Sequence, residues 1–179
     1  MWLFSKNKQN DREIDALYTA ILTQARQPGF YQKYAVKDNE DGRFDLLVLH
    51  LSLIFMIFKK SKDKEAPRYF RQLSEKFVAD MDASLRELGA GDLGVARRVK
   101  FMAGALNGRL LAYETALNND DREALKNALV KNLYRGGPVL SPQMEAMIQY
   151  VEEAYERLKS MSLIRIIEGK ANFPDIPQA

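Results

Sequence analysis

The segment that most restricts this chain is Leu46–Phe58, LLVLHLSLIFMIF, 13 residues with His50 and Ser52 as the polar interruptions. A helix that crosses a bilayer needs about 20 consecutive apolar residues, so this run is too short to span one, and no transmembrane helix is expected. It is apolar on nearly every side, which predicts a helix, from about Arg43 to Lys60, at the centre of a folded core. The rest of the chain then has to wrap it. At 179 residues the chain suits one domain with a proper hydrophobic interior.

The flanking segments have the periodicity to do the wrapping. Ile14, Leu17, Tyr18, Ile21, Leu22 and Ala25 recur at spacings of three and four, with Asn10 as the expected N-cap and Pro28-Gly29 as the stop. Phe30–Tyr34 reads as an aromatic connector. After the polar stretch 59–65, Pro67 falls in the first turn of a third helix striped by Phe70, Leu73, Phe77, Met81, Leu85 and Leu88. Gly89-Ala90-Gly91 stops that helix, and Asp92 is the expected N-cap of a fourth. The fourth helix carries Val95, Val99, Met102, Leu106, Leu110, Tyr113 and Leu117 on one side. A shorter helix follows over about 120–134. A long one follows with Ser141 as its expected cap and Pro142 in its first turn, striped by Met144, Ile148, Val151, Tyr155 and Leu158, and 162–168 adds a short piece. No strand alternation competes. The expected fold is all-α, a single-domain bundle of six to seven helices over residues 10–168, with a flexible start at 1–9 and a loose tail at 169–179.

Composition removes several functions. Cysteine is absent, which excludes disulfides, thiolate chemistry and zinc–sulfur sites. One histidine, His50, excludes mechanisms needing two imidazoles, and its place between Leu49 and Leu51 reads as a hydrogen-bonded core residue. The net charge of +3 is too small and too unclustered for a nucleic-acid binder. The start, Trp2-Leu3-Phe4 with Lys6 and Lys8, reads either as a disordered end or as a contact with a membrane surface. Asp80-x-Asp82 and Asp120-Asp121-x-Glu123 lack the spacing of a helical metal–diphosphate site and are read as caps and ion pairs, so neither metal nor cofactor is expected.

Two places carry more than a helical pattern. Opposite its main stripe, the fourth helix presents Phe101, Gly104, Gly108 and Leu111, with Ala105 and Ala112 beside them. A glycine inside a helix costs about 1 kcal/mol relative to alanine, so two of them four apart mark either a close approach by a neighbour or an open groove for an apolar helix of a partner. Around the turn near residue 90 stand Asp80, Asp82, Arg86, Asp92, Arg97, Arg98 and Lys100, with Arg109 two turns beyond Phe101. Asp82 and Arg86 have intrahelical spacing. Asp80 and Arg98 come opposite one another in an antiparallel hairpin and are expected to bridge it.

The series Gly42-Arg43-Phe44, Leu49-His50, Asp80-Met81-Asp82-x-x-Leu85-Arg86-Glu87, Gly91-Asp92-Leu93, Arg98-Val99-Lys100-x-Met102, Gly108-Arg109 and Ala112-Tyr113 resembles the ubiquinol–cytochrome c chaperone family, the assembly factors of the cytochrome bc1 complex, over about residues 30–155. The resemblance implies a non-enzymatic, largely helical protein that protects newly made cytochrome b until it is assembled. It also implies, as in mitochondrial relatives, a small partner protein and a position near the ribosome. With no organelle-targeting extension in view, a bacterial member is expected, cytoplasmic and peripheral on the inner membrane. Phe101, Gly104, Gly108 and Leu111 are then the candidate client-binding face. Asp80, Asp82, Arg86, Asp92, Arg98, Lys100 and Arg109 become charged anchors or hairpin-fixing groups. Two other classes stay open: a helical enzyme with a deep polar pocket, and a helical carrier of a lipid or quinone-like molecule with an enclosed apolar cavity.

Overall fold

The computed structural model describes the backbone of residues 2–87, 89 and 91–176, with side chains from residue 11 onward. Among the described residues there are eight helical segments and no strand: α1 (Trp2–Ala25), α2 (Gly29–Gln32), α3 (Glu40–Lys60), α4 (Ala66–Glu87), α5 (Asp92–Asn118), α6 (Arg122–Asn132), α7 (Ser141–Lys159) and α8 (Leu163–Ile167). Six are long. The four-residue α2 lies in the aromatic connector, and α8 is the short piece expected after Ser162.

α3 is the axis of the molecule. Every residue from Asp45 to Phe58 is buried, and α1, α4, α5 and α7 pack around it. The ends of the helix are set by local chemistry. Asn39 accepts a hydrogen bond from the Gly42 amide at 2.8 Å, Glu40 and Asp41 occupy the positive first turn, and Lys59 and Lys60 the negative last turn. Gly42 is required by space, because a Cβ there would stand 1.9 Å from the Lys37 carbonyl oxygen.

His50 is the core histidine the sequence suggests. Its Nδ1 lies 2.7 Å from the Leu46 carbonyl and its Nε2 2.7 Å from the Tyr150 hydroxyl. With the proton on Nδ1, that nitrogen donates to Leu46 and Nε2 accepts from Tyr150. The Gln24 amide in turn donates to the Tyr150 oxygen and to the Pro174 carbonyl, each at 3.0 Å. Phe30 and Phe173 meet the imidazole edge-on. One polar chain thus ties α1, α3 and α7 to the C-terminal segment.

That segment corrects the expected loose tail. Residues 170–176 carry no helix, yet Phe173 and Ile176 are buried in the core. Their apolar side chains hold them down where Pro174 blocks a helix. Three helix starts also differ. α1 begins at Trp2 and runs through Asn10, since the residues before it contain no breaker. Gly91 is the N-cap of α5, which puts Asp92 inside the first turn. Leu140 precedes α7, with Ser141 its first residue and the Gln143 side chain accepting from the Leu140 amide at 3.3 Å.

Candidate docking site

α5 is covered along one face, and its open face carries large apolar side chains. Val95, Leu106, Leu110, Tyr113 and Ala116 are buried against α3, α4 and α6. On the opposite side Phe101 is 76% exposed and Leu111 64%. Gly104 and Gly108 between them are exposed, with nothing within 4 Å of where a Cβ would stand. No neighbour among the described residues covers this flank. Three of the six exposed large hydrophobics among the described residues, Leu93, Phe101 and Leu111, lie on α5. These three share one helix instead of being scattered singly over the surface.

The charged residues around the hairpin separate into three groups. Asp82 accepts from Arg86 Nε at 2.6 Å, and Arg86 also bonds Asp92 across the turn. This exposed chain of charges, rather than the expected Asp80–Arg98 bridge, links α4 to α5. Asp80 is taken by Tyr18 of α1, whose hydroxyl donates to it at 2.9 Å. The reason is packing: α1 lies along α4 at that margin and reaches Asp80 first. Burial, then the Asp80 charge, push the Tyr18 phenol well above its ordinary value, so it remains a donor. Arg98 and Lys100 stay exposed.

Arg109 has neither of its expected roles. It points inward and donates to the fully buried Asp45 of α3 at 2.6 Å, with its guanidinium over the Phe44 ring. Arg135, after α6, donates to the other Asp45 oxygen at 2.6 Å and pairs with Asp41 at 2.9 Å. Arg135 sits at φ 51°, a left-handed conformation that costs a non-glycine residue on the order of 1 kcal/mol. Burial pushes the Asp45 carboxyl up, and the Arg135 hydrogen bond and the Arg109 charge pull against it. The cluster locks α3, α5 and the end of α6 together directly behind the open face.

The acidic motifs have ordinary duties. Asp121 caps α6 by accepting from the Ala124 amide at 2.9 Å, and Glu123 pairs with Lys126. Trp2, Leu3 and Phe4 lie outside the residues whose side chains the structure describes.

Sequence reasoning missed a second surface. A groove of about 740 Å³ opens between the end of α1, the start of α3 and the end of α4, with Leu22, Phe44, Leu47, Met81, Leu85 and Met102 among its apolar walls. Arg26, Asp38, Glu40, Arg43 and Asp80 stand among its lining residues. Met102 belongs to α5, one residue from Phe101, so the groove and the open face meet along one edge of that helix. Arg43, Phe44, Asp80 and Met81, all within the motifs singled out from sequence, converge here. The usable signal was their shared presence in those motifs, because the four elements that build the walls are far apart in the chain.

A helical body with a buried charge lock behind an exposed, glycine-notched apolar face has the form of a protein-binding module. The chain belongs to the ubiquinol–cytochrome c chaperone family, whose model matches residues 32–173. The crystal structure of the Cbp3 homolog from Brucella abortus has the same fold, with a TM-score of 0.85 and 31% sequence identity over 98% of this chain and 96% of that one. No curated protein matches. Membership carries a general role as a chaperone in assembly of the cytochrome bc1 complex. Among the described residues, no helix is long and apolar enough to cross a membrane.

Proposed function

We propose that this chain is a non-enzymatic assembly chaperone that holds unassembled cytochrome b by receiving one of its apolar helices along the open face of α5. The observation that carries this reading is the empty space over Gly104 and Gly108 between exposed Phe101 and Leu111. Small residues let two helix backbones approach closely, and the aromatic and leucine at either end supply apolar contact. A client helix without its own neighbours exposes surface costing about 25 cal/mol per Å² in water, which a shallow face offsets in part and reversibly. The charged margin of Arg97, Arg98 and Lys100 favours encounter more than permanence.

A photoreactive residue at position 101, introduced in cells making cytochrome b, should give a covalent adduct to that subunit. The same residue at exposed position 164 on α8 should give none. No adduct at 101, or equal adducts at both positions, would sink the proposal. The groove beside Met102 favours a second reading, a carrier of a lipid or quinone-like molecule, since its volume lies within the roughly 300–1,000 Å³ of small-ligand sites. In that case native mass spectrometry of the purified chain shows a bound apolar molecule, lost when Met81 and Met102 are replaced by larger side chains.

A further inference from the structure

The N-terminal half of α5 shares Phe101 and its charged margin with the client reading, and adds to them Leu93, which that reading does not use. From Leu93 to Tyr113 the chain has four basic residues, Arg97, Arg98, Lys100 and Arg109, and no acidic one. Arg109 is committed to Asp45. The other three are exposed and, among the described residues, form no ion pair. The Asp92 carboxylate at the head of the helix is turned back onto Arg86. Leu93 and Phe101 flank these cations and are 89% and 76% exposed, the two highest values among the described large hydrophobics. Leu93, Arg97 and Phe101 stand four residues apart in turn, so with Lys100 they share one side of the helix, and Arg98 lies at its edge.

We propose that this side of α5 docks on an anionic bilayer surface. Leu93 and Phe101 enter the boundary between headgroups and acyl chains, and Arg97, Arg98 and Lys100 meet lipid phosphates. A helix that lies in the interface combines apolar side chains with cations placed to reach the headgroups, and both components are present here on a surface that nothing among the described residues covers. RNA would satisfy the cations but not Leu93, which has no ring to stack on a base and would stay in water. Docking in this orientation sets Gly104, Gly108 and Leu111 beside the membrane, where the helices of a membrane protein are available. The lipid contact shares Phe101 with the client reading, and Leu93 with the three cations carries it where that face takes no client.

The test uses the full chain with vesicles of phosphatidylcholine, alone or mixed with phosphatidylglycerol. Sedimentation with the mixed vesicles alone, reversed by added salt, is the expected result. Each cation replaced by glutamine should weaken binding about fivefold, and Arg97→Gln, Arg98→Gln and Lys100→Gln together on the order of a hundredfold. Leu93→Ser with Phe101→Ser should also weaken binding while leaving the salt dependence in place. All five side chains are exposed, so unchanged thermal unfolding of the variants verifies that the fold is intact. Vesicle binding by the triple variant equal to wild type overturns the proposal. So does binding lost only when residues 2–8 are removed, which assigns the contact to the N-terminus. A structured RNA that displaces the vesicles, and whose binding the triple variant loses, assigns the cations to nucleic acid instead. A crosslink to cytochrome b from position 111 that persists in the triple variant separates lipid docking from client capture.

Discussion

α3 and α5 pose the same puzzle in sequence, since each is apolar on more than one side, and the fold resolves them in opposite ways. α3 is sealed by α1, α4, α5 and α7, and its side chains are bulky all round: leucine, isoleucine, phenylalanine and methionine from Leu46 to Phe58. α5 is covered along one side only, and its other side alternates large apolar residues with glycines and cations. The difference lies in what fills the second side. A helix whose neighbours come from its own chain fills every direction with volume, because interiors are packed to the density of organic crystals. On the proposed function, the notches and charges of α5 belong to a side left for a visitor, and the charges keep that side wetted while it is empty.

The comparison breaks most visibly under truncation of equivalent rings. Phe55 of α3 is 1% exposed and packs on Phe70 with ring centroids 4.4 Å apart. Phe55→Ala should lower stability by about 3–5 kcal/mol, through lost apolar burial and the cavity left behind. Phe101→Ala should change it by about 0.5 kcal/mol or less, because its ring already faces water. Denaturant unfolding of both variants decides the matter. A large loss at Phe101 would mean that α5 is as covered as α3.

Acid should strain the sealed helix and spare the open one. Burial pushes the His50 imidazole down to about 4, only partly opposed by its bond to Leu46. The unfolded chain takes up a proton below about pH 6.5, and the folded chain does not until about pH 4. Stability therefore falls as pH drops through that window and levels off below it, by about 3 kcal/mol in all from this residue. In His50→Gln the drop between these pH values should be smaller by that amount, as read from urea unfolding across the range. An unchanged pH slope would mean that His50 is not the neutral partner of Tyr150.

The helices and the central place of α3 were legible because burial imposes a period on the side chains. The open side of α5 was legible as a pair of alternatives and no further: periodicity says which sides are apolar, and not which of them a neighbour covers. Contacts made across long stretches of chain were not legible. Asp80 faces Tyr18, 62 residues away, instead of Arg98 in the adjacent helix, because a third helix lies closer than the hairpin partner. Arg109 turns inward because Asp45, an acid at the head of an entirely buried run, needs charge partners there, and Arg135 supplies the second from 90 residues away. Asp45 was the visible clue: a carboxylate next to such a run has to be paired. Its partners depend on how α5 and α6 fold back, and the groove depends on four elements at once.

A gain in stability, instead of a loss, gives the sharpest test of the open face. Gly104 and Gly108 lie inside a helix, where alanine is favoured over glycine by about 1 kcal/mol, and neither has an atom within 4 Å of an added methyl. Gly104→Ala with Gly108→Ala should therefore stabilise the chain by about 2 kcal/mol, seen as a raised unfolding midpoint. Had the glycines been kept for packing within the chain, the same methyls would collide and the midpoint would fall. Two added methyls also raise the floor on which a client helix rests, so adduct formation from position 101 should drop while the protein itself becomes more stable. A gain in stability with full client capture would leave the face open but unused, and would move the docking of cytochrome b to the groove beside Met102. Stability and capture shifting in opposite directions is the outcome that only a surface kept empty for a partner produces.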